Sequence, residues 1–169
     1  MAGGFSLKGV NIEVTTTQGR QVIIGLSGED IAKDWLEDTK ISKEDIKSIV
    51  CREDVRRIIG NAFCGCPNLE TFTVRGHVGC IVCNAFNYAA LTNVTLGSVD
   101  KIEYEAFNHC SHLKTFIVTG HVGTIYDTAF NGCQNLTDIT LGSVVIIQKG
   151  PYSSTSSRSF KYKLARVTK

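Results

Sequence analysis

The sequence predicts an α/β repeat solenoid, a short right-handed coil of about four to five turns with parallel strands, capped at its N-terminal end by a hairpin and a helix. Two observations carry this. An Ala-Phe pair recurs at Phe63, Phe86, Phe107 and Phe130, spaced 23, 21 and 23 residues apart, and a fixed period of that size marks stacked supersecondary units. Around each pair the same apolar skeleton returns in register. Val55, Val78, Val99 and Val122 stand eight residues before the Phe, and Ile58, Ile81, Ile102 and Ile125 stand five before it. Three residues after it stand Cys66, Ala89, Cys110 and Cys133, followed by Leu69, Leu91, Leu113 and Leu136. The chain has 169 residues, 43% hydrophobic and 20% charged, which suits one folded domain with a substantial core.

The elements follow in order. Residues 10 to 26, VNIEVTTTQGRQVIIGL, alternate apolar and polar on both sides of a Gln-Gly turn and predict a hairpin. SGEDIAKDWLEDTK comes next and predicts a helix. Ser27 and Asp30 have capping-box spacing, and Ile31 with Trp35 makes an apolar stripe at i and i+4. Residues 1 to 45 therefore form an N-terminal cap, because a terminal coil would otherwise expose its core to water. Residues 46 to 152 are the repeats. IKSIVC from Ile46 is a degenerate first LxxLxL, followed by LETFTV, LTNVTL, LKTFIV and LTDITL. Val144 and Ile147 begin a fifth coil, in which Tyr152 takes the Phe position. In each LxxLxL the last two apolar positions alternate, as a short strand with one buried face requires. Small Ala and Cys beside each Phe let the chain close tightly, so that the Phe rings of successive coils stack inside. After Pro151, residues 153 to 169 read as a Ser-rich linker and a basic C-terminal arm.

The combination LxxLxL, VxxI and AFxxC in about 23 residues resembles the BspA-like (Treponema-type) leucine-rich repeats, over roughly residues 46 to 152. It departs from that family in carrying Gly76, Gly97, Gly120 and Gly142 where a Pro is usual after the strand. Relatives of this type are bacterial or protist surface proteins, often longer and secreted. Here MAGGFSLKGV lacks a basic region followed by an apolar run, and nowhere do 18 uncharged apolar residues follow one another. The expectation is a cytoplasmic protein with no membrane span. Seven cysteines, an odd number, also fit reduced thiols.

Several residues invite a chemical reading. His109, Cys110 and His112 lie within four residues, but Cys110 occupies a core repeat position and no other coil supplies a partner His. His77 and His121 share one register two coils apart, about 10 Å, which is too far to share one ion. Cys64, Cys66, Cys80 and Cys83 have zinc-like spacing, yet Cys66 belongs to the core pattern, and Cys64 stands where the other coils carry Asn87, Asn108 and Asn131. No metal site, no cofactor and no catalytic residue is expected. A metal- or thiol-dependent enzyme is the alternative from another class, and a nucleic-acid-binding accessory protein is a third.

The preferred reading is a non-enzymatic scaffold for protein-protein interaction, a structural component of a larger assembly. Its candidate surface has two parts. The solvent-facing strand positions read Ser48, Thr71, Asn93, Thr115 and Asp138 in one row, and Val50, Thr73, Thr95, Ile117 and Thr140 in the next. That is a Thr-rich, nearly neutral ladder suited to recognition rather than to proton transfer. The second part is the arm, where Arg158, Lys161, Lys163, Arg166 and Lys169 put five positive charges on a chain whose net charge is only +2. Phe160, Tyr162 and Leu164 alternate with Lys161 and Lys163. The expected partner is a protein with an acidic surface; folding back onto Glu29, Asp30, Asp34, Glu37 and Asp38 is the intramolecular version of the same attraction.

Overall fold

The computed structural model describes residues 9–149. Nine strands follow in chain order: β1 Asn11–Thr16, β2 Gln21–Gly25, β3 Asp30–Ile31, β4 Ile46–Cys51, β5 Val55–Ile58, β6 Thr71–Ile81, β7 Asn93–Ile102, β8 Thr115–Tyr126 and β9 Asp138–Gln148. One 3-10 turn, Lys43–Asp45, precedes β4. The sheet order β2-β1-β4-β6-β7-β8-β9 is antiparallel at the hairpin end and parallel from β4 onward. This is a β-solenoid of about four turns.

Each coil runs through two strand limbs and an arc of turns. The limbs are the LxxLxL and VxxI segments, fused into one long strand in β6 to β9 but separate as β4 and β5 in the first coil. The bend between limbs falls at the glycine after LxxLxL, where the parallel register slips between Val74 and His77, Leu96 and Val99, and Val118 and His121. A Cβ on Gly120 would lie 2.7 Å from the Gly97 carbonyl oxygen, and one on Gly142 would lie 2.5 Å from that of Gly120. Backbone crosses backbone too closely there for any side chain.

The predicted register is the observed one. Ile58, Ile81, Ile102 and Ile125 are buried, as are the four Ala-Phe pairs and Cys66, Cys110 and Cys133. The phenyl rings form a continuous column, with Phe63 to Phe86 at 5.0 Å, Phe86 to Phe107 at 4.9 Å and Phe107 to Phe130 at 5.0 Å, all within 7° of parallel. That rise equals the spacing of neighbouring strands, so the coil geometry itself delivers offset stacking at no extra strain. Phe72 and Phe116, from the strand limbs, meet the column edge-on.

The hairpin forms as predicted, with Gly19 at φ +79° in its turn. Its inner strand lies antiparallel on β4, so Ile12 and Val14 cover Cys51 and Ile49. The helix expected from Ser27 to Lys40 does not form, and no α-helix occurs among the described residues. Asp30–Ile31 is instead a strand parallel to β5, with the Arg56 and Ile59 amides donating to the Glu29 and Ile31 carbonyls. Four-residue turns follow, with Trp35, Glu37 and Thr39 amides donating to Ala32, Asp34 and Leu36 carbonyls. The arcs of the repeats use the same bonds, from Ala62 to Ile59 and from Cys64 to Asn61. The segment is therefore a partial extra coil. The Ile31 to Trp35 spacing reflects one residue joining the Ile row and one reaching the Phe column, not a helical stripe.

Candidate interaction surface

The outward positions of the first limbs lie in two straight rows. Ser48, Thr71, Asn93, Thr115 and Asp138 are register partners across β4, β6, β7, β8 and β9, and Val50, Thr73, Thr95, Ile117 and Thr140 form the row beside them. Asn93, Asp138 and Thr140 are exposed; Thr71, Thr73, Thr95, Thr115 and Ile117 are half-buried against their neighbours. The hairpin extends both rows, a contribution that periodicity alone did not reveal. Thr15 and Gln21 continue the first, while Glu13 and Ile23 continue the second, with Ile23 71% exposed at the sheet edge. A shallow hollow of about 370 Å³ lies between Thr15, Ser48, Thr71, Lys47 and Glu70. The result is a flat face seven strands wide whose groups are chiefly hydroxyls, amides and isolated apolar side chains. Arg158, Phe160, Lys161, Tyr162, Lys163, Leu164 and Arg166 of the arm, together with Tyr152, lie outside the described residues.

His77 on β6 and His121 on β8 are held apart by β7 between them, and each is engaged by the serine of the next coil. His77 Nδ1 is 2.8 Å from Ser98 Oγ and its Nε2 is 3.1 Å from Asp100 Oδ2, while the His77 amide donates to Asp54 Oδ1 at 2.7 Å. His121 Nδ1 is 3.1 Å from Ser143 Oγ. Hydroxyl, imidazole and carboxylate thus meet once. The set is open to solvent, however, and the His-Ser contact repeats two coils later without a carboxylate, so it reads as an inter-coil rung. Ser98 and Ser143 were invisible to motif reading; the alternation of Gly-His-Val with Gly-Ser-Val in successive coils was the available signal.

The cysteines are placed by the repeat. The Cys110 and Cys133 thiols donate to the Phe86 and Phe107 carbonyls at 3.0 Å. Burial pushes the Cys51 thiol up to about 12 and those of Cys66 and Cys80 up to about 11, with Glu103 adding to the effect at Cys80. Such thiols are poor nucleophiles at neutral pH. Cys64 and Cys83 are half-buried. Among the described residues no three His, Cys, Asp or Glu side chains converge as metal ligands would.

His109 and His112 also diverge. The His112 Nδ1 is 3.4 Å from Ser111 Oγ, whereas the His109 ring stacks on Tyr88 at 4.7 Å and 8°. Tyr88 and His109 have φ of +57° and +55°, in the left-handed region, at the arc position that Gly65 and Gly132 occupy in the flanking coils. Each such non-glycine residue costs about 1–2 kcal/mol. Around Trp35 the acidic residues Glu29, Asp30, Asp34, Glu37 and Asp38 line an open groove of about 590 Å³ against Ile24 and Leu26. Asp30 is already committed to Arg56 and Arg57 at 2.9 and 2.7 Å.

A family model described as BspA type leucine rich repeat region matches residues 37–159 in six copies. No curated protein and no solved structure matches the chain. Among the described residues no helix is long and apolar enough to cross a membrane.

Proposed function

The chain belongs to the BspA-type leucine-rich-repeat family, which points to protein interaction, and from that premise we propose that it is a non-enzymatic scaffold holding another protein on its strand face. The observation that supports this is the pair of unbroken rows from Gln21 to Asp138 and from Ile23 to Thr140. A rigid ladder offers hydrogen-bonding hydroxyls at about 4.8 Å intervals, and a partner can bury it without desolvating many charges. The basic arm beyond the repeats adds attraction to an acidic partner and so raises its rate of capture.

The test compares three full-length or truncated chains in quantitative pulldown at low and high salt. The double variant Thr73→Arg, Thr95→Arg places two bulky charges at the centre of the face and should lose bound partner at either salt. A chain ending at Ser157 should keep its folded core and lose partner chiefly at low salt, where the arm's attraction is unscreened and counts most. Equal recovery by the double variant and the unaltered protein would show that the strand face is not the binding surface.

A further inference from the structure

The arc side of the solenoid carries a second aromatic column, separate from the buried one. It consists of Tyr88 and His109, stacked at 4.7 Å, with Tyr88 61% exposed. Its two ends differ. Toward coil 4 it is closed, since a Cβ on Gly132 would sit 2.8 Å from His109 Nδ1. Toward coil 1 it is open, since a Cβ on Gly65 would meet nothing within 4 Å. The amides of Gly65, Tyr88 and His109 donate to the Asn87, Asn108 and Asn131 carbonyls at 2.8, 2.9 and 2.8 Å, so these positions are successive rungs of one ladder. Over Gly65 the ladder has a rung with no side chain, beside the free face of a tyrosine ring.

A charge borders that rung. Lys43 Nζ lies 3.1 Å from the Cys64 carbonyl, in the peptide that joins Cys64 to Gly65, and 3.3 Å from the Asn61 carbonyl. Among the described residues it forms no ion pair. Glycine at positions 88 and 109 would adopt the required backbone freely, as it does at 65 and 132. Two rings held instead in an unfavoured conformation, one of them well exposed, direct attention to what the rings contact.

We propose that the face of Tyr88 above Gly65 is a subsite for an aromatic side chain of a partner protein, carried beside a carboxylate that meets Lys43. The incoming ring takes the empty rung and extends the column at the spacing already set by Tyr88 and His109. Planar stacking supplies selectivity for an aromatic over an aliphatic side chain, and exposed tyrosines are favoured anchors in protein interfaces. One bordering lysine suits a carboxylate and is too little to hold a nucleic-acid backbone. The inference rests on the protein-binding reading above but assigns contact to the opposite kind of surface, an arc rather than a strand face.

The experiment titrates isotope-labelled full-length protein with acetyl-Asp-Trp-Asp-amide and follows the Gly65 amide resonance. Saturable shifts are expected, with binding about fivefold or more tighter than for acetyl-Asp-Leu-Asp-amide. Lys43→Gln should weaken it about threefold. Tyr88→Gly should abolish it without lowering the melting midpoint, and Gly65→Asn, which tolerates the left-handed backbone and fills the rung, should block it. Binding that survives Tyr88→Gly or Gly65→Asn, equal binding of the leucine peptide, or stronger shifts from methyl glucoside or adenosine monophosphate would each overturn the proposal. The Thr73→Arg, Thr95→Arg protein should bind the peptide normally, which separates failure of this subsite from failure of the strand face.

Discussion

Trp35 ends the phenylalanine column: its indole N–H donates to the Ala62 carbonyl at 3.2 Å, and its ring lies 5.3 Å from that of Phe63. One side chain thereby closes the top of the core and pins the partial coil to the first full one. Trp35→Ala should cost about 3–5 kcal/mol, as loss of a large buried aromatic does. Trp35→Phe should cost about 1 kcal/mol, the worth of the lost hydrogen bond. Urea unfolding followed by circular dichroism checks both; equal destabilisation by the two changes would mean that packing of the ring is not what Trp35 contributes.

Phe107 touches the column on both sides and Phe116 from the edge. Phe107→Ala should cost about 3–5 kcal/mol, and Phe107→Leu about half of that because part of the volume is kept. Chemical denaturation of the two variants decides it. A loss below about 1 kcal/mol for the alanine form would mean that the column can collapse around the gap.

Gly120→Ala introduces a methyl group 2.7 Å from the Gly97 carbonyl oxygen. Backbone, not a flexible side chain, is in the way, so the coil must open locally. The expected loss is about 1–3 kcal/mol, whereas Gly28→Ala, with nothing within 4 Å of the new group, should change stability little. Thermal melts of the pair provide the comparison.

Asp30 couples pH to the N-terminal end. Burial raises its pKa, but hydrogen bonds from Arg57 and Arg56 outweigh that and hold it below the ordinary 3.8. A carboxyl depressed on folding stabilises the protein fully above its unfolded pKa and loses that contribution as pH falls through the folded one. Asp30→Asn should therefore be less stable than the unaltered protein by about 1 kcal/mol at pH 7. The two should converge as the pH is lowered beneath 3.8. Denaturation midpoints across acid pH measure this; a constant gap would place the effect in shape rather than charge.

The repeat register was legible down to individual residues because the core position of each coil demands an unambiguous side chain, as with Phe86 beneath Phe63. The 27–40 segment was not. Its i, i+4 apolar pair satisfies a helix equally well, and the preference was overridden by open strand edges on β5 that take up the Glu29 and Ile31 carbonyls. The candidate strand rows could be listed from the sequence, yet their extension onto β1 and β2 depended on which strand the hairpin would lie against. The stacking of Tyr88 on His109 escaped notice for a different reason. Backbone handedness leaves no periodic trace, and only their alignment with Gly65 and Gly132 could have exposed it.

The hairpin end of the solenoid is sealed, and this bears on which described strands open last. At the first coil, Ile12, Val14 and Trp35 leave the underlying Ile49, Cys51 and Phe63 fully sealed. In β9, Ile139 and Leu141 are each 9% exposed and Ile146 is 51% exposed. Coils that touch only their neighbours can be lost one at a time. Amide protons in β4 and β6, which lie beneath that seal, should thus exchange with solvent slowly, as the teeth beside a locked slider are the last to part.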